Sequence, residues 1–351
     1  MQKQARLGHG PDCFPSSLLG IAFGFLSEAE VFRTAFSVCR RWQAVCPLWS
    51  CCVLTGKNAA LVAEKWTPLA ITRVVVQDTF DVAMVARLCK LPNLCSLSAY
   101  GLELADGVLA GLQGLRLRYL ELDVAAPSPQ VFAELGSLQS VRVLTLTFES
   151  LPPASLSPLR QLARLKTLLL LGCEEFALTS QTTPPNLRHL CLVDSAWPRM
   201  WEEISALHQV RKLTLDDTNL DDDKLATLRT MRSLRNLVVK NEEHLTGRTL
   251  HCLVQIECLT LGGLSGLEDC AFMTGCLALR RFRIINCARQ LTYRGLSDLV
   301  AWPGLREFEL KHWIDRFYAA DQFKRFLNDL GYQVLRLSVA GEVLHVTAKK
   351  I

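Results

Sequence analysis

A chain of 351 residues with 50% hydrophobic and 21% charged side chains has the apolar material for a continuous core and lacks the polar bias of a disordered protein. Its net charge of +5 is spread over interspersed acids and bases, without the basic run that a phosphate backbone needs, which argues against a nucleic-acid partner. Fourteen cysteines, without the short chain and regular spacing of a secreted disulfide framework, read as reduced, small, buried hydrophobes.

In chain order, residues 1–13 read as an N-terminal tail. Lys3 and Arg6 precede an apolar run from Leu18 to Leu26, which has the outline of a secretory leader. Pro15 and Ser16 instead open that run as a helix, and its pattern continues on a helical period to Trp42, so the run is expected to belong to a folded module. Nowhere do 18 apolar residues stand in a row, and the chain is expected to be soluble with no membrane partner.

Residues 14–50 carry two short helical patterns broken around Ser27. Phe14 and Pro15 stand at the start, Phe25 and Leu26 end the first helix, Val38, Cys39, Arg40, Arg41 and Trp42 lie in the second, and Leu48 and Trp49 close the segment. This combination resembles the F-box, with Ser17 where that family usually has an acidic residue. The resemblance implies docking on a Skp-type adaptor, and through it on a cullin. Phe14, Pro15, Leu18, Ala22, Phe23 and Leu26 would then form the apolar adaptor surface. A second reading of the same helices is a cap over the open edge of a repeat array.

Residues 51–70 read as a linker or a capping rung: 23 residues before Ile71 stands Leu48, and Leu48, Cys51 and Val53 fit one further repeat. From Ile71 onward, one apolar triplet recurs with the spacing apolar, two residues, apolar, one residue, apolar. It runs through Ile71, Val74, Val76; Leu94, Leu97, Ala99; Leu117, Leu120, Leu122; Val141, Leu144, Leu146; and Leu165, Leu168, Leu170. Leu187, Leu190, Leu192; Val210, Leu213, Leu215; Leu234, Leu237, Val239; and Ile256, Leu259, Leu261 continue it. Weaker members are Leu279, Phe282, Ile284; Leu305, Phe308, Leu310; and Val334, Leu337, Val339, where the spacing stretches. Starts through Leu279 lie 22 to 24 residues apart, which resembles the leucine-rich repeat. Cys173 after Leu-Gly, and Cys287, resemble the cysteine-containing kind common in F-box proteins.

Each triplet predicts a short strand with alternate side chains turned inward, followed by a return segment. Asp106–Leu115, Pro129–Leu138, Trp201–Val210, Asp221–Met231 and Ala320–Leu330 predict helical returns, whereas Thr179–Asn186, with Pro184 and Pro185, predicts a loop. The expected fold is therefore α/β: a leucine-rich-repeat solenoid, or horseshoe, of about 12 repeats over residues 71–351, preceded by a small all-α module. Strands stacked at about 4.8 Å would give a concave sheet on the order of 50 Å long, a shape for a protein partner rather than a small molecule.

Residues between the triplet positions are expected on the concave face. They include Tyr100, Tyr119, Glu121 and Asp123; then Asp194, Asp216 and Asp217; then Lys240, Arg281, Arg283, Lys311 and Trp313. Charge on that face is expected to pass from an acidic centre to a basic end. No Gly-rich phosphate loop, metal-ligand spacing or nucleophile elbow is present, so no catalytic residue, metal or cofactor is expected. His244, His251, Cys252 and Cys258 come nearest to a metal set and read as packing. Residues 263–267 read as a turn, and Asp221, Asp222 and Asp223 as a cap on the next helix. Together these expectations describe a substrate-recognition subunit of a cullin-based ubiquitin ligase, in cytoplasm or nucleus, with its target on the concave face. The alternative is a stand-alone repeat scaffold or inhibitor, in the manner of ribonuclease inhibitor.

Overall fold

The computed structural model describes residues 51–55, 71–77, 80–102, 104–124, 127–148, 157–173, 178–179, 181–197, 199–267, 270–287, 304–313, 324–325, 327–328, 331–340 and 343–350. The chain divides into two units, Met1–Val124 and Ala125–Ile351.

In the first unit, β1 (Cys51–Thr55), β2 (Arg73–Gln77), β3 (Ser96–Leu102) and β4 (Tyr119–Val124) pair in parallel in chain order. Val74, Val76, Leu97, Ala99, Leu120 and Leu122 are buried on one side, as alternation requires. The return after β2 is α1 (Val82–Leu88), whose first turn is capped by Asp81 Oδ1 accepting from Met84 N–H at 2.7 Å. The return expected as a helix over Asp106–Leu115 is instead a 3-10 turn, Leu109–Gly114. Gly107 enters it at φ +90°, and a Cβ on Gly111 would stand 2.5 Å from Val85 Cγ1, so the segment runs too close to α1 for a wider coil. A strand does precede β2, offset by one residue from the expected register. Cys52 and Leu54, not Cys51 and Val53, stand level with Val74 and Val76.

In the second unit, β5 (Val143–Phe148), β6 (Thr167–Leu171), β7 (His189–Val193), β8 (Lys212–Asp216), β9 (Asn236–Lys240), β10 (Cys258–Gly262), β11 (Arg281–Ile285) and β12 (Glu307–Trp313) follow one another in parallel. Their triplet residues are buried; Leu213, Leu215, Leu237 and Val239 are fully enclosed. Each such side chain contributes roughly 1.5 to 3 kcal/mol before entropy is subtracted, and all of it depends on the neighbouring rung.

The returns are short: α2 (Pro129–Gly136), α3 (Met200–Ser205), α4 (Asp222–Thr227), and 3-10 turns at Ser157–Gln161, Leu228–Thr230, Leu250–Cys252 and Ala271–Gly275. Pro129 at the first helical position and Ser128 as N-cap start α2 where the sequence places it. Thr179–Asn186 is a turn-bearing loop held by Thr182 and Thr183 hydroxyls donating to Thr179 O. Of Ala320–Leu330, only residues 324–325 and 327–328 are described, and they are helical.

After β6 through β11 the chain leaves the sheet through a left-handed residue: Gly172, Asp194, Asp217, Asn241, Gly263 and Asn286, with φ between 47° and 67°. Glycine, and among other residues Asn and Asp, tolerate this conformation best. Each of these N–H groups donates to a strand carbonyl of the next rung, as from Asp194 to Asp216 O at 2.9 Å and from Asn241 to Gly262 O at 2.9 Å. Asp194 and Asp217 are therefore corner residues beyond the strands rather than members of the sheet face.

Carboxylates, one of them fully buried, tie the returns together. Glu242, 1% exposed, accepts from Thr218 N–H at 2.8 Å, Thr218 Oγ1 at 2.6 Å and Leu220 N–H at 2.8 Å, all on the preceding rung. Of the acidic run, Asp221 caps α4 by accepting from Lys224 N–H at 2.8 Å, whereas Asp222 reaches the following rung and accepts from Thr246 and Thr249.

The last expected rung is not a rung. Val334, Leu337 and Val339 lie on β13 (Tyr332–Ala340), which forms an antiparallel hairpin with β14 (Val343–Lys350). It is β14 that pairs with β12, antiparallel, placing Val346 beside Leu310 and Ala348 beside Phe308. Alternation fixes which side chains face inward but carries no strand direction, so a hairpin and a parallel rung look alike in sequence.

Candidate functional site: two faces of the repeat array

In the first unit the outward side of the sheet carries Tyr100, Tyr119, Glu121 and Asp123 on β3 and β4, with Ser98 beside them. Ser98 Oγ donates to Glu121 Oε2 at 2.8 Å, and burial together with Glu121 raises the Tyr100 hydroxyl pKa. Tyr119 is half exposed, an aromatic available for contact.

In the second unit the outward side is mostly neutral: Thr145 and Thr147 on β5, Thr167, Leu169 and Leu171 on β6, Cys191 and Val193 on β7, and Thr260 on β10. The expected sign change along the face does not occur, because its charges pair across adjacent strands. Lys240 Nζ lies 3.7 Å from Asp216 Oδ2, Arg281 Nε lies 3.9 Å from Glu307 Oε2, and Arg283 Nε lies 3.0 Å from Glu309 Oε2. Glu307 and Glu309, overlooked in the linear reading, neutralise the end that Arg281 and Arg283 were expected to make basic. Lys311 is exposed at the end of β12, which Trp313 closes.

His189, on the outward side of β7, is half-buried 3.3 Å from Thr214 Oγ1. Burial, with the Lys212 charge beside it, lowers its pKa from 6.5 to about 4. The unfolded chain therefore binds the extra proton first. Its contribution to stability should be complete above pH 6.5 and decline as pH falls toward 4. Urea unfolding at pH 7 and pH 5 is expected to show a smaller pH-dependent loss for His189→Gln than for the parent; an identical loss would assign the slope to other groups.

A second face lies at the strand-entry edge of the second unit. The residue just before each strand donates its N–H to the carbonyl of its counterpart one rung back. Lys166 donates to Arg142, Arg188 to Lys166, Arg211 to Arg188, Arg235 to Arg211, Glu257 to Arg235, Arg280 to Glu257 and Arg306 to Arg280, at 2.8 to 2.9 Å. Lys350, arriving on the antiparallel β14, donates to Arg306 O at 2.9 Å and completes the row. Glu257 is the single acid in it and pairs with Arg235 at 3.4 Å. The chain thus does carry a basic run, assembled across rungs rather than along the sequence. Its signal was a Lys or Arg immediately before the first strand residue, repeated every 22 to 26 residues through Arg306 apart from Glu257.

Among the described residues no group of His, Cys, Asp and Glu could hold a metal ion, and no helix is long and apolar enough to cross a membrane. His251 and Cys252 sit on the 3-10 turn and Cys258 on β10, with His251 Nδ1 bonded to Arg248 O. Burial pushes the Cys173 and Cys276 thiols up to about 12, which leaves them protonated and inert.

Parallel strands at a leucine-rich period, returning through short helices and 3-10 turns, define the class: a leucine-rich-repeat, solenoid-like α/β fold whose broad faces suit protein contact. No protein-family model matches the chain, and no curated relative does. Among solved structures, an internalin from Listeria monocytogenes aligns over 84% of this chain and 90% of its own at 15% identity, with a TM-score of 0.45, a likeness too loose to bear on function.

Proposed function

We propose that the chain is a substrate-recognition subunit of a cullin-based ubiquitin ligase, in which residues 14–50 dock a Skp-type adaptor and the repeats hold a target protein. It acts inside the cell, in cytoplasm or nucleus, by tethering the target near a ubiquitin-charged enzyme and so raising its effective concentration. The observation that carries this reading is the motif set from Phe14 and Pro15 to Leu48 and Trp49, with the first strand of the array beginning two residues later at Cys51. The adaptor residues Phe14, Pro15, Leu18, Ala22, Phe23 and Leu26 lie outside the described residues. The coarser reading is an interaction scaffold without an adaptor, favoured by the repeat fold alone.

A pull-down of the full chain on purified Skp-type adaptor, beside the double variant Pro15→Ala with Leu18→Asp, separates the two. Capture of the parent and loss of more than tenfold in a variant with unchanged urea unfolding is the expected result. A folded parent that is not captured leaves the scaffold reading.

A further inference from the structure

We propose that the basic row at the strand-entry edge of the second unit is a docking site for an extended acidic peptide segment that also carries apolar side chains. The inference rests on the chain being a protein-binding scaffold and does not depend on the adaptor module.

The backbone ladder fixes the spacing. Neighbouring row positions are joined by direct N–H to carbonyl bonds, so their side chains leave the edge at the rung repeat of about 4.8 Å. From Arg142 to Lys350 the row makes eight steps, on the order of 38 Å, which an extended peptide of about 12 residues spans at roughly 3.3 Å each. Arg142, Lys166, Arg188, Arg211, Arg280 and Arg306 are exposed. Among the described residues this edge carries eight basic side chains to one acid, Glu257, whereas the sheet face pairs its charges. Guanidinium groups outnumber ammonium groups in the row, and their planar forks fit carboxylates through two parallel bonds.

The apolar neighbours decide between partners. Three residues before Glu257 and Arg280 stand Val254 and Leu277, 51% and 71% exposed, and Ala278 N–H donates to Val254 O, holding the two loops together. Beyond them a cavity of about 600 Å³ is lined by Leu277, Arg280, Arg306, Lys349 and Lys350 among others. A sugar-phosphate backbone has nothing to place on an exposed leucine and valine. A peptide with leucine or valine between its acids fills both, the apolar contact adding to charge pairing. Glu257, paired with Arg235, interrupts the row at mid-length and further disfavours an unbroken polyanion.

The test is fluorescence anisotropy of the full chain with a labelled 12-residue peptide of glutamates and two leucines, its Gln-for-Glu counterpart, and an oligothymidylate of equal length. Binding of the acidic peptide should weaken with salt and fall at least tenfold in the double variant Arg280→Glu with Arg306→Glu, while Arg199→Ser, exposed at the start of α3, leaves it unchanged. The proposal is overturned by equal binding in the charge-reversed variant, by equal binding of the Gln peptide, or by tighter binding of the oligonucleotide. Urea unfolding shows that the variant folds. Adaptor capture by the same variant, run in parallel, keeps the two questions apart: lost peptide binding with retained capture touches this site alone, and lost capture in Pro15→Ala with Leu18→Asp leaves peptide binding intact.

Discussion

Replacing Phe282 by alanine is expected to destabilise the protein by about 3 to 5 kcal/mol. Its ring is fully buried on β11, edge-on to Phe272 at 6.1 Å and tilted against Phe308 at 6.2 Å, so truncation removes contacts to the return of the preceding rung and to the strand of the next. The cavity lies between stacked layers that cannot close without shifting whole rungs. Phe282→Leu should cost only about 1 kcal/mol, since most of the volume remains. Urea unfolding gives the magnitude and hydrogen exchange the location: protection should fall first on β11, β12 and the closing hairpin, while β6 to β8 keep theirs. Equal loss over all strands would mean that the rungs of the second unit unfold as one body.

Glu242→Ala should cost about 3 to 4 kcal/mol. Removing the carboxylate leaves the Thr218 N–H, the Thr218 hydroxyl and the Leu220 N–H without their acceptors, and both residues are sealed from solvent. Burial raises the Glu242 pKa while those three donors pull it down, the balance of a carboxylate kept in the interior for the bonds it accepts. Glu242→Gln retains one carbonyl oxygen but turns an amide NH₂ toward one of the donors, and an intermediate loss of about 1 to 2 kcal/mol is expected. A loss below about 1 kcal/mol for the alanine variant, read by urea unfolding at pH 7, would show that water takes the place of the carboxylate.

The triplets were legible because burial on one side of a strand imposes a local period, and Leu190, Leu213 and Leu237 occupy the buried positions their spacing assigns. What escaped the sequence depends on relations between distant residues. Glu307 and Glu309 sit in the linear chain apart from Arg281 and Arg283, and only the parallel register of β11 and β12 makes them partners. Arg142 and Arg306 belong to one row although more than a hundred and sixty residues separate them. Glu242 looks like any surface acid until the preceding rung brings three donors to it. Asp194 and Asp217 follow a strand directly and pass for strand residues, because a positive φ leaves no mark in the sequence beyond the choice of Asp, Asn or Gly. Direction was equally hidden: the wider gap before Val334 was the one sign that the regular stack had ended.

A stack of parallel strands has no natural end, because the last strand offers the same bonding pattern that the first accepts. Here β14 meets β12 with reversed polarity, and the outermost strand, β13, breaks register between Val334 and Arg336. Another molecule's first rung would meet β13, which two reversals leave pointing the same way as the rungs, so it is the break in register after Val334 that puts the carbonyls of this edge out of step and hinders end-to-end growth at this terminus. The same closure sets where the protein can lengthen: a duplicated rung between β6 and β12 meets matching neighbours on both sides, whereas one added after β12 would have to displace the hairpin.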